Sequence, residues 1–208
     1  MNLFKYIGII IFLFSLQVQA APIDDLSKQL SGMHSVKAHF IQTVTGNRKT
    51  GVQRFSGLMA IQQPGKFRWQ VLEPDHQLIV TDGKTLWIYD EDLQQVTIQS
   101  LTDQADALPA LLLTGGVQYL QPNFSVNALK AEKKTEAYEL VPVKKDGILE
   151  RVLLNFDQGI IKQMEWWDAM GQHTQITFSQ IEKDPTFEVG FFNFEPPHGV
   201  DVIYNKKP

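Results

Sequence analysis

Cysteine is absent from the sequence. Disulfides and thiolate metal sites are therefore excluded, as is the lipid-modified cysteine by which a lipoprotein is anchored. Positive charge is also short: 19 Lys and Arg stand against 23 Asp and Glu, a net charge of −4. Nucleic-acid binding, which wants a basic stripe, gains no support from that balance. Long apolar runs are scarce too. The longest, Tyr6 to Leu16, falls short of the ~20 residues that span a bilayer. Lys5 precedes it, and Val18 and Ala20 occupy the small-residue positions of a cleavage site. This is the pattern of a secretory signal peptide, residues 1–20, cut after Ala20. Residues 21–208 then make one domain with a sizeable core.

Catalytic motifs are equally wanting. HExxH, GxSxG, GxGxxG and the P-loop pattern do not occur, so neither zinc chemistry nor nucleotide binding is expected, and Ser56 and Ser179 have no nucleophile context. His34, His39, His76, His173 and His198 are scattered without ligand spacing. The acidic group Asp90-Glu91-Asp92 reads as solvated turn residues, and Asp82-Gly83-Lys84 as a turn. No enzyme activity, metal or cofactor is expected.

What is present is periodicity. Ile23, Leu26, Leu30 and Met33 repeat at helical spacing, with Asp24 and Asp25 in the first turn and Gly32 near the end. From Val36 the period becomes two, with Val36, Ala38, Phe40, Gln42 and Val44 on one face. Strand-like runs follow at residues 52–62, 67–72, 77–81, 85–89 and 94–99, then at 137–143, 149–156, 160–167 and 172–181, with a short one near Phe191–Phe194. Asp82-Gly83, Lys145-Asp146-Gly147 and Asp157-Gln158-Gly159 are hairpin signals of the type I′ kind. Pro109 to Leu113 interrupts the meander as one or two helical turns. The class is α+β, with a large curved antiparallel sheet and helices on one face.

Thirteen Phe, four Trp and five Tyr are a heavy aromatic load. The inner face of one curved sheet must be covered by helices, by its own side chains or by a ligand. Patterning leaves a dry core and a ligand cavity both open. Stacking on sugars by Trp87, Tyr89, Trp166 and Trp167 is disfavoured, since alternation turns Trp166 and Trp167 to opposite faces.

The segments FIQTV (40–44), QPGKFRWQVLEPD (63–75), VTDGKTLWIYDEDLQQV (80–96), LPALLL (108–113) and FNFEPPHGVDV (192–202) resemble, in this order, the periplasmic lipoprotein carrier family LolA. The resemblance implies an unclosed, half β-barrel of about ten to eleven strands with a helical lid over an apolar cavity. It implies a periplasmic monomer that takes acylated lipoproteins from an inner-membrane ABC transporter and hands them to an outer-membrane receptor. Phe67 and Trp69 match aromatic positions of the cavity lip, Val36, Phe40 and Val44 the inward face of the first strand, and Leu111 with Leu113 apolar lid positions. An arginine that latches the lid is usual in the family before the proline of the QPGKF segment; here the position is Gln63, which keeps an amide donor and lacks the guanidinium fork. Arg68, between Phe67 and Trp69, points to the other face and does not replace it. Related readings on the same fold are a lipoprotein-sensing regulatory module, for which the chain leaves little room, and a receptor, which requires an anchoring cysteine.

The chemistry of the role agrees with the residues. An acyl chain carries ~0.8 kcal/mol of transfer free energy per CH₂ and needs a dry cavity to cross water. With no nucleotide motif, release is driven by a better acceptor.

Overall fold

The computed structural model describes residues 21–46, 51–101, 108–129, 135–145 and 147–205. The expected signal peptide and Asp146 of the second hairpin signal lie outside them. Helix α1 (Pro22–Gly32) starts with proline in its first turn, where the missing N–H costs no hydrogen bond. Asp24 and Asp25 follow at the positive end of the helix dipole. Leu26 and Leu30, one turn apart, are both 0% exposed and set the buried stripe.

A meander follows: β1 (Ser35–Thr45), β2 (Val52–Gln62), β3 (Lys66–Glu73), β4 (Gln77–Thr81), β5 (Thr85–Asp90) and β6 (Gln95–Ser100). Two short helices, α2 (Leu108–Thr114) and α3 (Gly116–Asn123), then lead into a second meander. It comprises β7 (Phe124–Leu129), β8 (Thr135–Pro142), β9 (Leu149–Asp157), β10 (Ile160–Asp168) and β11 (His173–Lys183), and β12 (Asp201–Asn205) ends the series. The spatial order is β12-β6-β5-β4-β3-β2-β1-β11-β10-β9-β8-β7, a single sheet whose two edges do not pair. β1 joins the meanders by pairing with β2 on one side and β11 on the other. Helices α1 and α3 touch the β7 edge, while α2 touches β2 and β3. The sheet therefore curls around all three helices as an unclosed half-barrel.

Alternation decides what faces inward. Val36, Ala38 and Phe40 of β1 are buried while Lys37 and His39 are exposed. Cross-strand register carries the same face through Met59 and Ile61 of β2, Phe67 and Trp69 of β3 and Phe178 of β11. These residues and the buried leucines of α1, α2 and α3 form one core.

The architecture agrees with the sequence expectation apart from the third helix, α3, where only two helical pieces were expected, and three further differences. There are twelve strands among the described residues, because β7 and β12 both form. Phe191–Phe194 is not a strand: Phe191 N–H bonds Glu188 O at 3.1 Å and Asn193 N–H bonds Gly190 O at 2.8 Å, closing turns. Its phenylalanines dock instead of pairing. The segment after β11 crosses the convex face, where the Arg68 guanidinium lies 5.2 Å from the Phe191 ring centre and Tyr89 meets Phe194 at 5.5 Å. That crossing lays β12 parallel to β6 in an otherwise antiparallel sheet. Third, the Asp82-Gly83 turn is not type I′. Only Gly83 has positive φ, +99°, and the Asp82 carboxylate accepts the Lys84 and Thr85 amides at 2.8 Å. Gln158 and Gly159, with φ of 51° and 74°, do carry the paired positive angles.

Candidate functional site: an apolar cavity under the helices

The site is built from β3 outward. In Lys66–Glu73, residues 67, 69 and 71 are buried and their neighbours less so. Trp69 stacks on Phe40 with ring centres 3.6 Å apart and planes at 18°, and Phe178 meets it edge-on at 6.4 Å. Phe67 lies 6.0 Å from Trp69, nearly parallel to it. Gly57, opposite Phe40 in the β1–β2 ladder, leaves the space into which that ring lies.

On the open side of this stack is a cavity of about 580 Å³. That lies within the roughly 300–1,000 Å³ range of small-ligand sites. Its floor is Phe67, Trp69, Ile79 and Ile88, with Phe55 and Trp166 on the flanks, and Pro109 of α2 overhangs it. Trp166 faces inward; Trp167, next in sequence, stacks on His173 at 4.4 Å and lies 3.9 Å under the Arg151 guanidinium on the convex face. The mouth lies where β3 turns into β4 and β5 into β6, marked by Asp75, Asp90, Asp92 and the exposed Leu93.

The opposite end of the strands is tied shut. Gln63 Nε2 donates to Leu113 O of α2 at 3.0 Å and to Leu30 O of α1 at 3.4 Å. Its own amide bonds His34 O at 2.8 Å. Both carbonyls belong to last turns of helices, where intrahelical donors run out; Leu30 O also accepts the Met33 amide at 3.2 Å. One neutral side chain thus bridges two helices to the β2–β3 turn. In that turn Gly65, with φ +75°, abuts Gly83 so closely that a Cβ would stand 3.0 Å from the Gly83 Cα. Removing the bridge with Gln63→Ala is expected to cost about 1–2 kcal/mol of stability, two modest hydrogen bonds. Amide hydrogen exchange in α2 should accelerate by roughly tenfold. Gln63→Arg keeps the donors and adds a cation beside two helix C-termini, so exchange there should slow. Equal exchange in all three proteins would show that α2 is held elsewhere.

The residues singled out in the sequence do not all fall in one place. Phe67 and Trp69 line the cavity. Phe40 is buried behind Trp69, and Leu111 and Leu113 are buried within the core between helix and sheet. Val44 is half-buried further along the β1 face. Val36 is on the same inward face, nearer the start of β1, and lines a second cavity of about 590 Å³ beside α1. That cavity is polar, with Asp25, Lys28, Glu136 and Lys183 on its walls. There the Tyr138 hydroxyl is held above its ordinary pKa, chiefly by burial and then by the Glu136 and Asp25 carboxylates. Sequence reasoning did not single out Phe55, Ile79, Ile88 or Trp166 as lining. The alternation that turns them inward was available, but which inward residues meet a void depends on where α2 comes to rest. Arg68 lies, as alternation requires, on the convex face, donating to Phe191 O at 3.3 Å, and burial holds its pKa below the ordinary value.

The family described as outer membrane lipoprotein carrier protein LolA matches residues 31–195. The chain belongs to the LolA family. An outer-membrane lipoprotein carrier protein of Dechloromonas aromatica is 37% identical over 191 residues, 92% of this chain and 91% of that one. Another from Azotobacter vinelandii is 34% identical over 98% of this chain and 99% of its own. Among solved structures, an uncharacterized conserved protein from Thermus thermophilus superposes with a TM-score of 0.54 at 12% identity, covering 88% of this chain and 98% of that one. That likeness speaks for the fold alone. Within the LolA family, Gln63 is then a neutral residue that bridges two helices and a turn.

Proposed function

We infer that the protein is a periplasmic carrier that holds the acyl chains of outer-membrane lipoproteins in the cavity beneath α2. Residues 1–20 direct export and are removed, and residues 21–208 act as a single-domain monomer. Loading is from an inner-membrane ABC transporter and delivery is to an outer-membrane receptor. The observation that carries this reading is the apolar cavity of about 580 Å³, floored by Phe67 and Trp69, in a LolA-family chain. Phe67, Trp69 and the buried Phe40 behind them form the acyl-contacting wall. Val44, Leu111 and Leu113 join it as α2 moves, and Val36 supports α1.

Binding rather than bond-making is the chemistry such a cavity performs. Each methylene transferred from water contributes ~0.8 kcal/mol. Those terms are reversible, so an acceptor with more apolar area draws the cargo onward. The Gln63 bridge is a neutral latch on the helices: hydrogen bonds worth ~1 kcal/mol each hold α2 down and still let it rise. Depleting the protein from living cells tests the role. Lipoproteins should then accumulate at the inner membrane, whereas normal sorting after depletion would overturn the assignment.

A further inference from the structure

The cavity is apolar within and acidic at its opening. Asp75 lies in the β3–β4 connection, Asp90 ends β5, and Asp92 follows in the turn before β6; all three line the cavity. Asp90 is paired with Gln77 on the inward face, one step along from the Ile79–Ile88 pair of the floor. Its Oδ1 accepts the Leu93 amide at 2.9 Å. The Asp92 carboxylate accepts the His76 amide at 3.0 Å and lies 3.7 Å from His76 Nδ1. No lysine or arginine lines this cavity among the described residues. Among the cations nearby, Arg68 lies under Phe191 on the convex face, Lys66 and Lys84 stand at the latched end, and alternation turns the exposed Arg54 of β2 to the face opposite the lining Phe55. Nor is the trio a metal site, since no three His, Asp or Glu among the described residues are placed to hold an ion.

A chain that enters this cavity leaves its polar head among three carboxylates. The wall beside them is low-dielectric protein, which lengthens the reach of each charge relative to open water. We propose that Asp75, Asp90 and Asp92 make the mouth a charge filter: the cavity accepts amphiphiles whose group next to the chain is neutral or cationic and rejects anionic ones. The proposal rests on the reading of the cavity as an acyl-chain site and specifies its ligand class. Fatty acids and anionic phospholipids offer the same chains as an acylated protein, and the hydrophobic effect alone does not tell them apart. A ring of carboxylates does. It also favours cargo in which residues adjoining the acylated end are neutral or basic.

The test uses the mature chain and three amphiphiles of one chain length, each below its micelle concentration: dodecyl maltoside, dodecylammonium and dodecanoate. Trp69 and Trp166 line the cavity, so their fluorescence reports occupancy. At low ionic strength dodecylammonium should bind roughly tenfold or more tightly than dodecanoate, with dodecyl maltoside between them. The ratio should fall to about threefold or less in the triple variant Asp75→Asn, Asp90→Asn, Asp92→Asn, or at about 0.5 M salt, while dodecyl maltoside affinity stays put. Asp75→Asn alone guards against misfolding, because Asp75 caps no turn as Asp90 and Asp92 do, and it should move the ratio part of the way. Equal affinity for cation and anion, or a ratio the variants leave unchanged, overturns the filter. Failure of dodecyl maltoside to bind removes the acyl-site reading itself, and the filter with it.

Discussion

Phe67→Glu should lower affinity for a neutral single-chain amphiphile by roughly a hundredfold, the largest binding effect expected of any single substitution in the cavity. Phe67 is 2% exposed, lies nearly parallel to Trp69 and forms part of the cavity floor. A carboxylate there has no cationic partner among the lining residues, so it keeps water in the cavity or forces α2 away from the floor. Either outcome removes the dry wall that an acyl chain requires. Stability should also fall by about 3–5 kcal/mol, the usual consequence of losing a buried aromatic side chain. Phe67→Leu separates the two effects: it stays apolar, and affinity should remain within about threefold of the parent. Amphiphile titration beside calorimetry reads both quantities. Unchanged binding by the glutamate variant would mean that chains enter elsewhere.

Gly57→Ala should be the most damaging change that adds a single carbon. Gly57 sits inward on β2, where the β2–β3 register shifts between Ser56 and Gly57. An added Cβ would collide with the Gln70 carbonyl oxygen and come within 2.8 Å of two Phe40 ring atoms. A backbone oxygen in a paired strand has little freedom to give way. Phe40 is stacked on Trp69, so its ring has little room to shift without disturbing that stack. Overpacking of this kind costs about 3 kcal/mol. For a chain of this size that lowers the melting temperature by roughly 6–12 °C. The same displacement tilts Trp69 into the cavity, so amphiphile affinity should drop with stability. A melting temperature within about 2 °C of the parent would show that the sheet absorbs the clash.

Local signals carried much of the architecture. The strict alternation at Val36–Phe40, the Asp157-Gln158-Gly159 turn and the helical spacing of Leu26 and Leu30 are each satisfied by neighbours within a few residues, so the chain states them openly. Phe191–Phe194 misleads because alternating aromatics look the same whether they line a strand or dock on one. What settles the matter is the convex face that Arg68 and Tyr89 present to them, and that face is assembled from strands more than a hundred residues earlier. The site divides in the same way. Phe67 and Trp69 stand out because a turn and an alternating run enclose them. Phe55, Ile88 and Trp166 come from three separate strands and become a wall only once the sheet has curled. Gln63 was conspicuous by its place before Pro64, but its partners, Leu30 O and Leu113 O, belong to two helices that no local pattern connects to it.

The position of β1 has a consequence for how the chain reaches its final form. Strands β1 to β6 can zip as a succession of hairpins, and so can β7 to β11, because each pairs with the next in sequence. Among the described residues one antiparallel ladder joins the two halves, and its register sets Val36 against Lys183. Until β11 arrives, the eleven-residue β1 has a partner on one side only and offers its other edge to any extended chain nearby. Late, non-local pairing of this kind is slow and leaves apolar surface open to association. Nascent chains are therefore most vulnerable at the β1–β11 seam, and substitutions there should reduce the yield of folded protein more than they reduce the stability of the molecules that succeed.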